Sequence, residues 1–99
     1  MHVTLTINQA PRTFQNGMVS ARMLRRTIEI TQTMDFDNMS VDDLDTMVGY
    51  LVELFHHQFT IDDVYDGLAS KDLIPTLIAC INEVVGDMSD ATTGDEKNA

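Results

Sequence analysis

Residues 39–68 read MSVDDLDTMVGYLVELFHHQFTIDDVYDGL and contain the same helix start twice. Met39 to Leu44 and Phe59 to Val64 match position by position in residue type. In each, a hydroxyl residue (Ser40 or Thr60) can accept a hydrogen bond from the first turn, and the acids that follow face the positive end of the helix dipole. The match stops there, so we interpret it as one capping pattern used twice and not as a repeat architecture.

The first start predicts a central helix over about residues 41–57, because apolar residues recur behind it at helical spacing and form a broad face. These residues are Leu44, Met47, Val48, Leu51, Val52, Leu54 and Phe55. The second start predicts a short helix over residues 61–66, with Gly67 as its C-terminal cap.

Upstream, the chain opens with a predicted β-hairpin over residues 2–16. From His2 to Ile7, apolar and polar residues alternate with the period of a half-buried strand. Asn8 to Pro11 is the predicted turn, and the residues up to Gln15 return as a shorter strand. Since an isolated two-stranded hairpin is marginal in water, we expect it to pack on the helices.

Two further helices complete the predicted fold. The first spans about residues 20–34, with Ser20 as its cap and an apolar stripe along one face. The stripe consists of Met23, Leu24, Ile28 and Thr31. The last spans residues 74–86, since Pro75 is tolerated in a first turn, where its missing N–H costs little.

Residues 87–99 are polar and small apart from Met88, which predicts a flexible acidic tail. The predicted fold class is α+β and mainly helical: an N-terminal β-hairpin, a compact bundle of about four helices, and the disordered tail. A chain of 99 residues with 43% hydrophobic residues has room for one core. We therefore predict a single domain over residues 1–86.

Charge is divided between the two ends of the chain. Residues 1–26 contain four arginines and no acid, whereas residues 27–99 contain all 16 acidic residues and two lysines. Such a chain can pair its halves within one fold, dock head to tail on a second copy, or present an acidic face to a basic partner; the acids can also be a solvated surface that only maintains solubility. Arg22, Arg25 and Arg26 are the candidate residues for self-association.

No residue pattern predicts a catalytic, cofactor or metal site. Each Asp-Asp pair belongs to a helix start, and neighbours on a helix point about 100° apart, so they do not chelate together. We expect His56 and His57 to complement the negative end of the second helix dipole, and the single cysteine, Cys80, to lie in the core. The acidic composition disfavours nucleic-acid binding, and no apolar run is long enough for a membrane span.

Five methionines cluster around the first predicted helix and the start of the second. They are Met18, Met23, Met34, Met39 and Met47. Flexible, polarisable side chains suit a surface that accepts varied apolar helices, so these residues are the candidates for binding a client protein. The alternative is that they fill the core.

Four segments carry a resemblance to a known family. They are FTIDDVYDGL over residues 59–68, VGYLVELF over residues 48–55, ARMLRR over residues 21–26 and LIPTLI over residues 73–78. Together they resemble the tail assembly chaperones of long-tailed phages and prophages of Gram-positive hosts, over about residues 3–86. One departure is Asn8-Gln9, where Asn-Gly is expected, and it predicts a looser hairpin loop.

The resemblance implies a non-catalytic chaperone that coats the tape measure protein, a long helix-rich chain, until tube subunits polymerise around it. It implies homo-oligomers, action in the host bacterial cytoplasm and absence from the mature virion. It also implies a longer form, made by ribosomal frameshifting, that recruits the tail tube protein; Glu96-Lys97-Asn98 permits a slippery codon sequence. We expect the client to bind in a shallow groove of Met, Leu and Val.

Two other functions remain open. A small acidic phage or prophage protein can inhibit a host DNA-binding protein by mimicking DNA. That function needs acids spaced like phosphates along one face, whereas most acids here lie at helix starts and in the tail. A small enzyme that uses His56 and His57 is the other alternative, and a turnover lost on substitution of these histidines by alanine would support it.

Overall fold

The computed structural model describes the backbone of residues 1–98 and the side chains of residues 1–86. Its elements in chain order are β1 (His2–Ile7), β2 (Ala10–Gln15), α1 (Ala21–Thr33), α2 (Val41–Leu54), α3 (Ile61–Gly67) and α4 (Ser70–Asn98). An antiparallel hairpin followed by four helices confirms the predicted fold class. The backbone of α4 extends to Asn98, beyond the predicted helix end at residue 86. The flexibility predicted for residues 87–99 stays a prediction.

The hairpin turn is tight. β1 and β2 pair without interruption from His2 opposite Gln15 to Ile7 opposite Ala10, which leaves a two-residue loop. Asn8 and Gln9 both have positive φ, 53° and 67°. This combination is the mark of a type I′ turn, whose twist matches that of the flanking strands. The expected looser loop is therefore wrong, because uninterrupted pairing imposes the tight turn even without glycine.

The sequence predicts Pro11 in the turn, but it lies inside β2. It is paired with Thr6, one position beyond the Ile7–Ala10 pair that closes the loop. Hydrogen-bonded and non-hydrogen-bonded pairs alternate in an antiparallel ladder, so Pro11 falls in a pair that makes no ladder bonds. Its missing N–H therefore costs the hairpin nothing.

α2 is the central helix, as predicted. Its buried residues, together with the cap residue Phe55, cover most of its circumference: Met47, Val48, Tyr50, Leu51, Val52, Leu54 and Phe55. One face of the hairpin joins this core through Val3, Leu5 and Phe14. The hairpin thus obtains from the helices the burial that it cannot provide alone.

α2 ends at Leu54, earlier than the predicted residue 57. His56 and His57 have positive φ, 58° and 57°. The His56 N–H donates to the Glu53 carbonyl at 3.0 Å, and the His57 N–H donates to the Val52 carbonyl at 2.9 Å. This pair of bonds is a Schellman motif, which uses left-handed backbone to satisfy the last carbonyls of the helix.

The predicted N-caps are confirmed. The Ser20 hydroxyl accepts from the Met23 N–H at 3.2 Å. Ser40 and Thr60 each form a complete capping box, with Asp43 and Asp63 respectively accepting the N–H of the cap residue. The two repeated segments therefore set where α2 and α3 begin, and each capping box satisfies two backbone donors.

The buried face of α1 differs from the predicted stripe. Met23, Thr27 and Ile30 are buried, whereas Thr31 is exposed. Thr27 is buried because its hydroxyl has two partners: it donates to the Met23 carbonyl at 2.7 Å and accepts from the Tyr50 hydroxyl at 2.6 Å. Burial raises the pKa of Tyr50, so its phenol stays protonated and able to donate.

α4 begins at Ser70, four residues before the predicted start near Ile74. The Asp72 N–H donates to the Ala69 carbonyl at 2.9 Å and closes the first turn. Pro75 therefore lies in the second turn, where it removes one backbone donor without ending the helix. Leu77, with other apolar residues one and two turns later, packs into the core.

Gly67 is not the C-cap of α3. The cap is Leu68, and Gly67 does not have positive φ. Gly67 instead allows α3 to approach β1 closely. A Cβ at this position would lie 3.0 Å from the Thr6 carbonyl oxygen and 3.1 Å from the Leu5 Cβ.

Candidate protein-binding surface

An apolar groove of about 320 Å³ lies where the start of α2, the helix α3 and the start of α4 meet. We call it the α2–α3–α4 groove. It is lined by Leu44, Val64, Tyr65, Leu68, Ser70, Leu73 and Ile74. Most of these apolar side chains are only half-buried, whereas the core side chains beneath them are fully covered. The groove is therefore a place where apolar surface remains accessible.

The groove follows from the lengths of the three helices. α3 has seven residues and is about 10 Å long, whereas α2 has 14 residues and is about 21 Å long. α3 can therefore cover only part of the side of α2. Only Leu68 and Ala69 separate α3 from α4, so α4 starts beside the end of α3.

Apolar surface continues beyond the groove on two of its helices. Val41 lies one turn before Leu44 on α2 and is 75% exposed. Ile78 lies one turn after Ile74 on α4 and is 39% exposed. Residues three or four positions apart share a helix face, so both side chains extend the apolar lining.

A hydrogen bond between Tyr65 and Asp45 ties α3 to α2 at the groove. The Tyr65 hydroxyl donates to Oδ1 of Asp45. Desolvation, together with this carboxylate, raises the pKa of Tyr65 to about 12. The phenol therefore remains a donor throughout the physiological range, and the wall that Tyr65 forms stays in place.

Exposed carboxylates lie beside lining residues of the groove in the sequences of α2 and α3. Asp45 follows Leu44 on α2, while Asp62 and Asp66 lie three residues before and one residue after Tyr65 on α3. All three are exposed, and none forms an ion pair within residues 1–86, where side chains are described. Lys71 on α4 is the nearby base in sequence, so the charge beside these lining residues is net negative.

The structure does not bring the five candidate methionines to one surface. Met47 is fully buried and Met23 is buried in the core, so both fill space inside the protein. Met34 and Met39 are half-buried against the core. Met18, in the linker before α1, is 78% exposed. Of the five, Met18 is thus the one that offers a largely free side chain.

The three candidate arginines lie on α1. Arg22 and Arg25 are exposed and Arg26 is half-buried. Arg25 and Arg26 both approach the Glu29 carboxylate, at 3.8 Å and 2.9 Å. One acid of α1 therefore neutralises part of this basic stretch, and Arg22 is without an ion-pair partner among the described side chains.

The histidines and the cysteine are not gathered into a reactive site. His56 and His57 are exposed, and Nε2 of His56 lies 3.3 Å from the Met18 carbonyl oxygen. Cys80 is buried, as predicted, and burial raises its pKa to about 11. Over the described part of the chain, no three potential ligands among His, Cys, Asp and Glu come together, and no helix is both long and apolar enough to span a membrane.

Sequence reasoning missed the α2–α3–α4 groove. Its lining residues resemble, in sequence, the ordinary core residues of amphipathic helices. The available signal is an apolar residue at the first position of two capped helices, Val41 and Ile61, where the side chain cannot be covered by its own helix. Both are exposed, at 75% and 43%.

Comparison with protein families gives a match over the whole chain. Residues 1–99 match a family described as phage tail chaperone protein. No match was found among curated proteins or among solved structures. The match includes the hairpin, all four helices and the α2–α3–α4 groove, and it confirms the resemblance carried by the four sequence segments. The chain belongs to the phage tail chaperone protein family.

Proposed function

We propose that this protein binds the tape measure protein of a phage tail, keeps it in solution and promotes assembly of the tail tube, without catalysing a reaction. The observation that carries the proposal is the family match across residues 1–99. A helix-rich client exposes apolar stripes until the tube surrounds it, and a partner that covers those stripes prevents their aggregation. Accessible apolar surface with exposed carboxylates nearby in sequence supports this role.

The acidic composition supports solubility of the loaded complex. The net charge of −10 on each copy makes separate loaded complexes repel one another, which opposes their clumping. In this proposal the chaperone acts in the host bacterial cytoplasm, before the virion is complete. The chaperone leaves when tube subunits replace it.

Co-expression tests the proposed function. The tape measure protein is produced alone and together with this chain, and its soluble fraction is measured after centrifugation. We expect the tape measure protein to be insoluble alone and soluble with the chaperone, and to co-purify with it. A tape measure protein that precipitates equally in both cases contradicts the proposal.

Self-association through the basic side of α1 is a second part of the proposal. The triple variant Arg22→Glu, Arg25→Glu, Arg26→Glu should sediment as smaller species than the wild type, because an acidic neighbour would then be repelled. Sedimentation velocity at several protein concentrations measures the effect. Arg12→Glu, on β2, is the control and should sediment like the wild type. Unchanged assembly of the triple variant refutes docking through α1.

A longer, frameshifted form that recruits the tail tube protein remains a proposal that the gene sequence tests. Glu96-Lys97-Asn98 permits a slip only if the codons contain the repeated adenines that a slippery site requires. A GAG codon at Glu96 excludes a slip at this site. Mass spectrometry of the phage-infected host should detect the extended product if the slip occurs.

The DNA-mimic alternative has less support from the placement of the acids. Asp43 and Asp63 accept backbone hydrogen bonds in the capping boxes, so their carboxylates are engaged in holding helix starts. A DNA mimic needs free carboxylates in a phosphate-like row. Binding to a DNA-binding protein of the host, with no effect on a tape measure protein, would reverse this preference.

A further inference from the structure

We propose that the α2–α3–α4 groove binds one amphipathic helix of the client, whose apolar stripe lies on the groove lining and whose flanking basic residues face Asp45, Asp62 and Asp66. The inference rests on the proposed function and specifies the binding site and the chemistry of its occupant. It differs from the expectation based on the methionines, because Met23 and Met47 are buried in the core.

The lining favours a helix over an extended strand. Strand addition requires a free sheet edge whose N–H and C=O groups can pair with the peptide. The lining of this groove comes from α2, from α3 with its cap Leu68, and from α4, whose interior backbone groups bond within their own helices. An occupant must therefore bind through apolar side chains. A helix does so with residues at i, i+3 or i+4 and i+7, about 5.4 Å apart per turn.

The size of the apolar surface fits the side chains of one helix face. The groove volume of about 320 Å³ has room for a few side chains, not for a folded domain. Val41 and Ile78 extend the lining by one helical turn on α2 and on α4. These two residues can contact the turns of the client helix on either side of the turn whose side chains enter the groove.

The exposed carboxylates beside the groove lining select a basic partner. Asp45, Asp62 and Asp66 are exposed and form no ion pair among the described side chains. Asp45 accepts the hydrogen bond of Tyr65, and the other two lie on the same helix as Tyr65. Lysine or arginine beside the apolar stripe of the client helix would neutralise them. Because the groove is open to water, these contacts should add specificity and association rate more than affinity.

A second copy of this chain does not offer a basic helix with an accessible apolar stripe. Its basic helix is α1, which carries Arg22, Arg25 and Arg26. The apolar face of α1, with Met23 and Ile30, is buried in its own core. Insertion of α1 into the groove of a neighbour would require unfolding, so we assign the groove to a client helix.

The test compares exposed groove residues with an exposed residue elsewhere. Val41→Lys and Ile78→Lys each place a cation on the apolar surface, and their exposure leaves the core intact. Gln32→Lys, at an exposed position of α1, is the control, and Met18→Lys tests the exposed methionine candidate separately. Met18 lies beside the C-terminal end of α2, since its carbonyl oxygen is 3.3 Å from Nε2 of His56. Leu44 and Leu54, near the two ends of α2, are ten residues or about 15 Å apart. Each variant is co-expressed with the tape measure protein, and the amount of soluble tape measure protein is measured relative to the amount of chaperone.

We expect each groove variant to lower the soluble, co-purified client roughly tenfold, and Gln32→Lys to match the wild type. Circular dichroism and melting temperatures establish that the variants are folded; if one groove variant is not, the other gives the result. Asp62→Asn with Asp66→Asn should also weaken co-purification, most strongly at low salt, whereas Asp37→Asn with Glu53→Gln should not.

The outcomes separate the two levels of the proposal. If the wild type fails to keep the client soluble, both the proposed function and the groove assignment are refuted. If the wild type succeeds and both groove variants succeed equally, the groove assignment alone is overturned. Loss of activity in Met18→Lys alone would place the client on the linker before α1. Groove variants that change only the sedimentation of the chaperone by itself would make the groove an interface between copies, and so also overturn the assignment.

Discussion

Gly67→Ala should lower the free energy of unfolding by about 1–3 kcal/mol, although the same change in an ordinary helix is stabilising. The added Cβ would lie 3.0 Å from the Thr6 carbonyl oxygen and 3.2 Å from the Thr6 nitrogen. Both are backbone atoms of β1, so the contact cannot be relieved by a change of rotamer. α3 must move away from the hairpin, and the packing of Leu5 is disturbed with it. Urea unfolding followed by circular dichroism measures the loss.

Gly49→Ala is the matched control for this prediction. Gly49 lies inside α2, and a Cβ there meets no atom within 4 Å. Alanine should therefore raise the free energy of unfolding by about 0.5–1 kcal/mol, as expected for a glycine in a helix interior. Equal effects of the two substitutions would show that the close approach of α3 to β1 does not limit the residue at position 67.

Thr27→Val should cost about 1–3 kcal/mol of stability because it leaves the Tyr50 hydroxyl buried without an acceptor. Thr27 and Tyr50 both have no exposed surface. The hydroxyl of Thr27 already donates to the Met23 carbonyl, so Tyr50 is the donor in the bond between them. Valine keeps the branched shape of threonine and removes the acceptor. Thermal unfolding and urea titration give the difference.

Tyr50→Phe should cost less, about 1 kcal/mol, because Thr27 keeps its bond to the Met23 carbonyl. The double variant Thr27→Val, Tyr50→Phe removes both polar groups and should be more stable than Thr27→Val alone. A double-mutant cycle therefore has a favourable coupling energy. Strictly additive effects would mean that the hydroxyl pair contributes nothing specific to the packing of α1 on α2.

The helix starts and the central helix could be predicted because they depend on few, neighbouring residues. Ser40 with Asp43, and Thr60 with Asp63, form their boxes within a single turn. The broad apolar face of α2 is likewise a local repeat, and the core covers it as expected. The alternation of residues in β1 predicted the hairpin, but not its register, because the loop has two residues and Pro11 lies in β2.

The ends of elements and the rotation of α1 depended on distant contacts. Thr27 is buried because the hydroxyl of Tyr50, 23 residues later in the chain, donates a hydrogen bond to it in the core. In sequence, Thr31 was an equally good member of the stripe, yet it is exposed. Similarly, glycine is the usual residue of a helix C-cap, but Gly67 is needed because β1 packs too close to allow a side chain there.

The candidate methionines and the groove illustrate the same distinction at the functional surface. Met47 and Met18 have identical side chains and opposite exposure, which composition cannot reveal. Leu44 and Ile74, by contrast, have the pattern of core residues but remain accessible because α3 is too short to cover them. Accessibility is a property of how the three helices meet.

The sequence by itself determined the order and type of the elements, the two capping boxes, the division of charge and the family. It could do so because backbone hydrogen bonding and hydrophobic periodicity are satisfied within a few consecutive residues. Only the tertiary structure decided which apolar side chains are covered, where α3 meets β1, and where the α2–α3–α4 groove opens. Those features depend on the packing of segments far apart in the chain, and the volume left between them is not encoded at any single position.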